Sequence, residues 1–94
     1  MEKAINIMSD LFGVTPRILI VLKNFSDGAT ITELQDKSRV SSTALYNALR
    51  KLLEYQIIVE VREPYFPKRR LIKLTEKGKN IAEYLAKIEE ALSS

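Results

Sequence analysis

Residues 41–74 read SSTALYNALRKLLEYQIIVEVREPYFPKRRLIKL, and a change of hydrophobic period inside this stretch decides the fold. Leu45, Ala48, Leu49, Leu52 and Leu53 recur every three or four residues, the period of an amphipathic helix with one inward stripe. From Ile57 the period drops to two, with Ile57, Val59 and Val61 on one face and Ile58, Glu60 and Arg62 on the other, as a strand requires. Glu63-Pro64-Tyr65-Phe66-Pro67-Lys68-Arg69 holds two prolines and cannot continue a ladder, and alternation resumes over 70–74. The stretch therefore predicts a helix to about Tyr55 followed by a hairpin over 57–74 with a basic tip.

Working upstream, Ser41 and Ser42 offer the cap of that helix, and Arg39-Val40 form a tight connection from a shorter one. Thr32, with Gln35 three positions on, reads as the capping box that opens the shorter helix, which ends near Ser38. Residues 32–55 are thus a helix-turn-helix. Ala29 to Ile31 are extended, and Thr15-Pro16 read as the cap and first position of an earlier helix that buries Ile18, Leu19, Leu22 and Phe25. Ile5, Met8, Leu11 and Phe12 fall at helical spacing ahead of Gly13. Downstream, Thr75 caps a last helix in which Ile81, Leu85, Ile88 and Leu92 form a stripe that Tyr84 widens. The expected fold class is mainly α with a small β-hairpin, a winged helix-turn-helix forming one domain over 1–94.

The composition limits the chemistry. Ninety-four residues, 46% hydrophobic and 29% charged, suit one compact domain with a modest core. No Cys and no His occur, which excludes disulfides, thiol nucleophiles and imidazole catalysis and argues against a metal or cofactor. Asp10, Asp27, Glu33 and Asp36 lack metal-ligand spacing and there is no glycine-rich phosphate loop, so an enzyme is not expected. The longest apolar run, Ile18 to Leu22, is too short to span a membrane, and no signal segment is evident, so a cytoplasmic protein is expected.

The net charge of +3 is unevenly spread: zero over residues 1–40, +5 over 41–79 and −2 over 80–94. The excess falls on the second helix of the helix-turn-helix and on the hairpin. An outward helical face carrying Ser42, Thr43, Tyr46, Asn47 and Arg50 has the hydroxyl, amide and guanidinium groups that read base edges in a major groove. Thr15, Thr30 and Thr32, with the helix N-termini they help cap, are further and weaker candidates for phosphate oxygens, and Ser41 at the cap of the reading helix joins Thr32 among the expected DNA-binding residues. Lys68, Arg69 and Arg70 place cations where a wing lies along the minor groove or holds phosphates. Each feature also has a plain reading, as a solvated helix face and as a hairpin tip kept soluble by charge. Tyr65 and Phe66 are expected to anchor the hairpin loop on the domain, the other reading being stacking on sugars or bases.

Ile31-Thr32-Glu33-Leu34, Val40-Ser41-Ser42-Thr43-Ala44-Leu45-Tyr46, Leu49-Arg50-Lys51-Leu52 and Leu71-Ile72-Lys73-Leu74-Thr75-Glu76-Lys77-Gly78 resemble the successive signatures of winged-helix regulators of the PadR and MarR type. The Pro67-Lys68-Arg69-Arg70 run resembles the PadR-like members most. The likeness spans about residues 15–85 and departs at Gln56, where members of the group usually place Gly. It implies a homodimer held by terminal helices, with the reading helix in the major groove and the wing beside it.

In that arrangement residues 1–14 and 76–94 are the dimerisation helices, and Ile5, Met8, Phe12, Ile81, Tyr84, Leu85, Ile88 and Leu92 are the expected interface. The alternative is a last helix packed only on its own core. The partner expected is double-stranded DNA with a palindromic site, bound by a dimeric repressor. Two other readings remain open: a DNA-binding protein that spreads in plasmid or chromosome partition, and a winged-helix module that docks on protein.

Overall fold

A computed structural model describes residues 12–94. Ile5 and Met8 of the expected interface lie outside the described residues. The elements run α1 (Thr15–Lys23), α2 (Ile31–Ser38), α3 (Ser42–Glu54), β1 (Ile58–Arg62), β2 (Arg70–Leu74) and α4 (Glu76–Ser93). The strands pair antiparallel with Ile58 opposite Leu74 and Arg62 opposite Arg70. Ala29 adds a one-residue third rung, exchanging backbone hydrogen bonds of 2.9 and 2.7 Å with Ile72.

One core serves all elements. Ile18, Leu19 and Leu22 of α1, Leu34 of α2, Leu45, Leu49 and Leu52 of α3, Ile58, Ile72 and Leu74 of the hairpin and Ala82 of α4 are buried together. Each fully buried aliphatic side chain contributes about 1.5–3 kcal/mol, so this cluster holds helix-turn-helix and hairpin in one orientation. Of the expected stripe on α3, Leu53 instead lies exposed beside the wing. On β1 it is Ile58 that is buried, whereas Val59 and Val61 face solvent. Alternation defines two faces and, with apolar residues on both, does not say which turns inward.

The caps differ in detail from the sequence expectation. Val14, with no side-chain cap bond, precedes α1, so Thr15 is its first residue and Pro16 its second. The capping box of α2 is formed by Thr30 and Glu33, not by Thr32 and Gln35: Thr30 Oγ1 accepts the Glu33 N–H at 3.1 Å, and Glu33 Oε1 accepts the Thr30 N–H at 2.9 Å. Both threonines have an acceptor side chain three residues on. The Ala29 bridge to β2 ends the extended segment at that point and gives the cap to Thr30.

Between α2 and α3, Arg39 takes a left-handed φ of 56° and Val40 is buried as the turn's anchor. Ser41 Oγ accepts the Ala44 N–H at 3.2 Å, as expected of the cap. Gln35 Nε2 donates to Ser42 Oγ at 2.7 Å and clips the two helices together.

The hairpin is tied to α4 by Thr75. Its hydroxyl accepts the Gly78 N–H at 3.0 Å and lies 2.7 and 3.0 Å from the carbonyl oxygens of Gln56 and Ile57. Gln56 sits at φ 60°, the left-handed geometry that explains why glycine suits this turn. At Gly78 a β-carbon would stand 2.0 Å from the Ile57 carbonyl oxygen, so α4 approaches the residue just ahead of β1 as closely as it does only because that position has no side chain. Among the described residues two polar side chains are buried: Ser38, whose hydroxyl donates to the Leu34 carbonyl, and Glu89 of α4, whose Oε2 has no hydrogen-bond partner.

Candidate nucleic-acid interface

The outward face of α3 is set by its inward one. Leu45, Ala48, Leu49 and Leu52 are buried, which leaves Ser42, Thr43, Tyr46, Asn47 and Arg50 exposed, all five as the helical spacing predicts. Ser41 is exposed at the cap. The Ser42 hydroxyl is engaged by Gln35, so it acts first as a clip between helices. Thr32 is exposed in the first turn of α2 and takes no part in its cap.

The wing stands beside α3. Ile31, Tyr46, Leu49, Arg50, Leu53, Glu60, Arg70 and Ile72 line an open cleft of about 320 Å³ between helix and hairpin. Arg50 from the helix and Arg70 from the wing thus share one cleft although twenty positions separate them in sequence. Such an arrangement can hold an extended anionic strand between a reading helix and a flanking hairpin.

Two of the wing cations, Arg69 and Arg70, are already paired. Arg70 pairs with Glu60 at 2.7 Å, two rungs away on the partner strand. Arg69 is held by Glu63 through Nε to Oε1 at 2.7 Å and Nη2 to Oε2 at 3.2 Å, and the Arg69 backbone N–H donates to the same Oε1 at 3.1 Å. These bonds hold the Glu63 carboxyl below the usual glutamate range and raise the Arg69 pKa. Glu33 is likewise lowered, first by the Thr30 backbone and hydroxyl bonds of the cap, with a smaller contribution from Arg69. Lys68 is exposed at φ 55°, and Arg62 Nη1 donates to its carbonyl oxygen at 3.1 Å.

Sequence reasoning missed Glu60 and Glu63 as the partners of the wing cations. The signal was available, because antiparallel pairing across the hairpin puts Glu60 diagonal to Arg70 and Glu63 beside Arg69. Tyr65 and Phe66 do not anchor the loop: they are 81% and 93% exposed at its tip. The loop carries its own closure instead, with Lys68 N–H donating to the Tyr65 carbonyl at 2.8 Å and Glu63 N–H to the Arg69 carbonyl at 3.0 Å.

On α4 the apolar stripe divides. Ile81 and Leu85 are half-buried against the core, whereas Tyr84, Ile88 and Leu92, spaced four and four, are exposed with Phe12. Lys87 Nζ lies 5.8 Å from the Tyr84 ring centroid. Among the described residues no cluster of acidic side chains is placed to hold a metal ion, and no helix is long and apolar enough to cross a membrane.

A three-helix core whose last helix presents a polar face, followed by a two-stranded wing, is the winged helix-turn-helix fold, the architecture of DNA-binding transcription regulators. Within that class the chain belongs to the HxlR-like helix-turn-helix family, which matches residues 13–94. The PadR-type likeness of the wing run stays a resemblance.

Solved structures share the fold. MepR, a transcription regulator of the Staphylococcus aureus multidrug efflux pump MepA, superposes with a TM-score of 0.72 at 20% identity, over 98% of this chain and 69% of its own. ZitR from Lactococcus lactis, solved as a single-residue variant, gives 0.74 at 30% identity, over 85% of this chain and 54% of its own. The transcriptional regulator PA3341 gives 0.80 at 18% identity, over 98% and 69%. Comparison with curated protein sequences gave no match.

Proposed function

We propose that the chain is a dimeric, sequence-specific regulator of transcription that binds double-stranded DNA in the cytoplasm and acts by repression. The observation that carries this reading is the cleft lined by both Arg50 of α3 and Arg70 of the wing, beside the exposed polar row of α3. In the bound state Thr43, Tyr46, Asn47 and Arg50 read base edges in the major groove. Asn and Arg are suited to bidentate pairing with adenine and guanine respectively. Ser41, Ser42 and Thr32, at the start of their helices, lie on the phosphates that flank the groove, and Lys68, Arg69 and Arg70 follow the adjacent backbone.

Residues 1–14 and 76–94 form the dimer contact in this reading, supported by the exposed row Tyr84, Ile88 and Leu92 together with Phe12. Ile81 and Leu85 contribute by fixing the angle of α4 on the core, and Ile5 and Met8 are assigned to the same contact. A two-fold dimer places two reading helices about 34 Å apart and calls for a palindromic site. No catalytic step, metal or cofactor enters the account. Selection of bound duplexes from a random pool, followed by footprinting, tests it: a short symmetric footprint is expected. An extended footprint would favour spreading as in partition, and no enrichment would favour protein docking.

A further inference from the structure

The tip of the wing carries a feature that base reading and phosphate contact leave unused. Tyr65 and Phe66 are consecutive and largely exposed on a hairpin loop closed by its own hydrogen bonds. Pro64 and Pro67 bracket the pair and fix the backbone φ at both ends. The Tyr65 carbonyl is bonded by the Lys68 N–H, the Arg62 guanidinium holds the Lys68 carbonyl, and Glu63 grips Arg69 at three atoms. A closed loop of this kind holds two aromatic side chains in water at a hydrophobic cost and limits the backbone freedom that a ligand would otherwise have to order.

The chemistry around the rings selects the occupant. Arg62, Lys68, Arg69 and Arg70 flank the tip in sequence and outnumber the acidic partners Glu60 and Glu63, so the surroundings of the rings suit a polyanion. The same hairpin carries Arg70 into the cleft it shares with Arg50 of α3, which puts the tip at the flank of the duplex that α3 reads. A rigid apolar side chain among cations at the flank of a major-groove helix meets the adjacent minor groove, where such residues act as wedges between base steps.

We propose that Phe66, supported by Tyr65, is a minor-groove wedge: its ring enters beside the half-site, partly unstacks one base step and adds an affinity that is apolar rather than ionic. This rests on the DNA-binding reading above. Discrimination at the wedged step comes from how readily that step opens, so pyrimidine–purine steps are favoured at a position where no base edge is hydrogen-bonded.

The test uses a duplex recovered by the full wild-type chain from a random pool, with 2-aminopurine placed in turn at each position flanking the half-site. The wild type is expected to raise the fluorescence at one flanking step. Phe66→Ala is expected to abolish that rise and bind about tenfold more weakly with an unchanged salt slope, and Phe66→Leu to restore most of both. Because the ring is outside the core, circular dichroism and the thermal midpoint of Phe66→Ala stay those of the wild type. Unchanged affinity and fluorescence for Phe66→Ala on a duplex that the wild type still binds would overturn the wedge alone. Failure of the wild type to select any duplex would overturn the interface and the wedge together. Phe66-dependent binding to phosphatidylserine vesicles, with no fluorescence change on DNA, would assign the tip to a membrane surface instead.

Discussion

The guanidinium of Arg69 and the carboxylate of Glu63 close the neck of the wing loop, with Nε 2.7 Å from Oε1 and Nη2 3.2 Å from Oε2. Arg69 is therefore already satisfied before any anion arrives, and a phosphate must compete with Glu63 for it. Such a pair is exposed and screened by salt, so exchange is easy, but it lowers the attraction of the wing for any polyanion met at random. Replacing Glu63 by Gln removes the competitor while keeping the shape. Glu63→Gln is expected to bind non-specific duplex several-fold more tightly and to steepen the log–log salt dependence by about one phosphate contact, measured by fluorescence anisotropy. Equal affinities at every salt concentration would show that the pair does not restrain the wing.

Arg50 and Arg69 are expected to differ in kind. Arg50 projects from the reading face of α3, and its loss should reduce discrimination at one base pair by about 1–3 kcal/mol while leaving non-specific binding nearly intact. Arg69→Ala should weaken all sequences alike. Binding of both variants to matched and single-mismatch duplexes separates the two, and identical profiles would reject the assignment of roles.

Low pH should loosen two local structures together. Glu33 in the α2 cap and Glu63 in the wing are both held below the ordinary glutamate value of 4.5, so the unfolded chain takes up protons more readily than the folded one. Their contribution to stability is complete above about pH 4.5 and is lost as pH falls through the lowered native values. The thermal midpoint is expected to decline with acid in the wild type and to decline less in the Glu33→Gln variant, which starts lower at neutral pH. Parallel curves for the two proteins would contradict the link to the cap.

Gly78→Ala tests the packing of α4 on the hairpin. Its β-carbon would meet the Ile57 carbonyl oxygen at 2.0 Å, a backbone atom that Thr75 also holds in place. Relief demands a shift of helix against strand, and overpacking of this kind costs about 1–3 kcal/mol or more. Chemical denaturation should report a loss of that size. A neutral substitution would mean that α4 moves freely on the domain.

Much of this was legible in the sequence because the periods change where the elements change: three- and four-residue spacing through Leu52, then alternation from Ile57, then two prolines. The polar row of α3 followed from the same stripe that buries Leu45 and Leu49. Three features depended on contacts between distant residues. Thr30 and Thr32 both satisfy the capping pattern, and the bridge from Ala29 to Ile72 chose Thr30. Ile58 and Val59 are equally apolar, and the pairing of the hairpin over α3 chose Ile58 as the buried one. The aromatic tip looked like an anchor because exposed Phe is unfavourable, yet the loop closes on itself through Glu63, Arg62 and backbone bonds and leaves both rings exposed. Gln56 was visible as a departure, and its left-handed φ supplies the reason that glycine is preferred there.

The dimer reading has its own test. Leu85 is packed into the domain and is a poor site for it, since a charge there would damage the fold. Ile88 is exposed on the same helix. Ile88→Glu is expected to keep the circular dichroism spectrum and give the monomer mass in light scattering, whereas a dimer mass would move the interface away from Tyr84, Ile88 and Leu92.

The central claim is that α3 and the wing together form a phosphate-contacting, base-reading surface for double-stranded DNA. The most direct measurement is the affinity of the wild-type chain for its selected duplex between about 50 mM and 200 mM salt. The account predicts a linear log–log loss with a slope worth several phosphate contacts and a retained preference over scrambled duplex at the higher salt. A chain that shows no preference, or no binding at physiological salt, would contradict it.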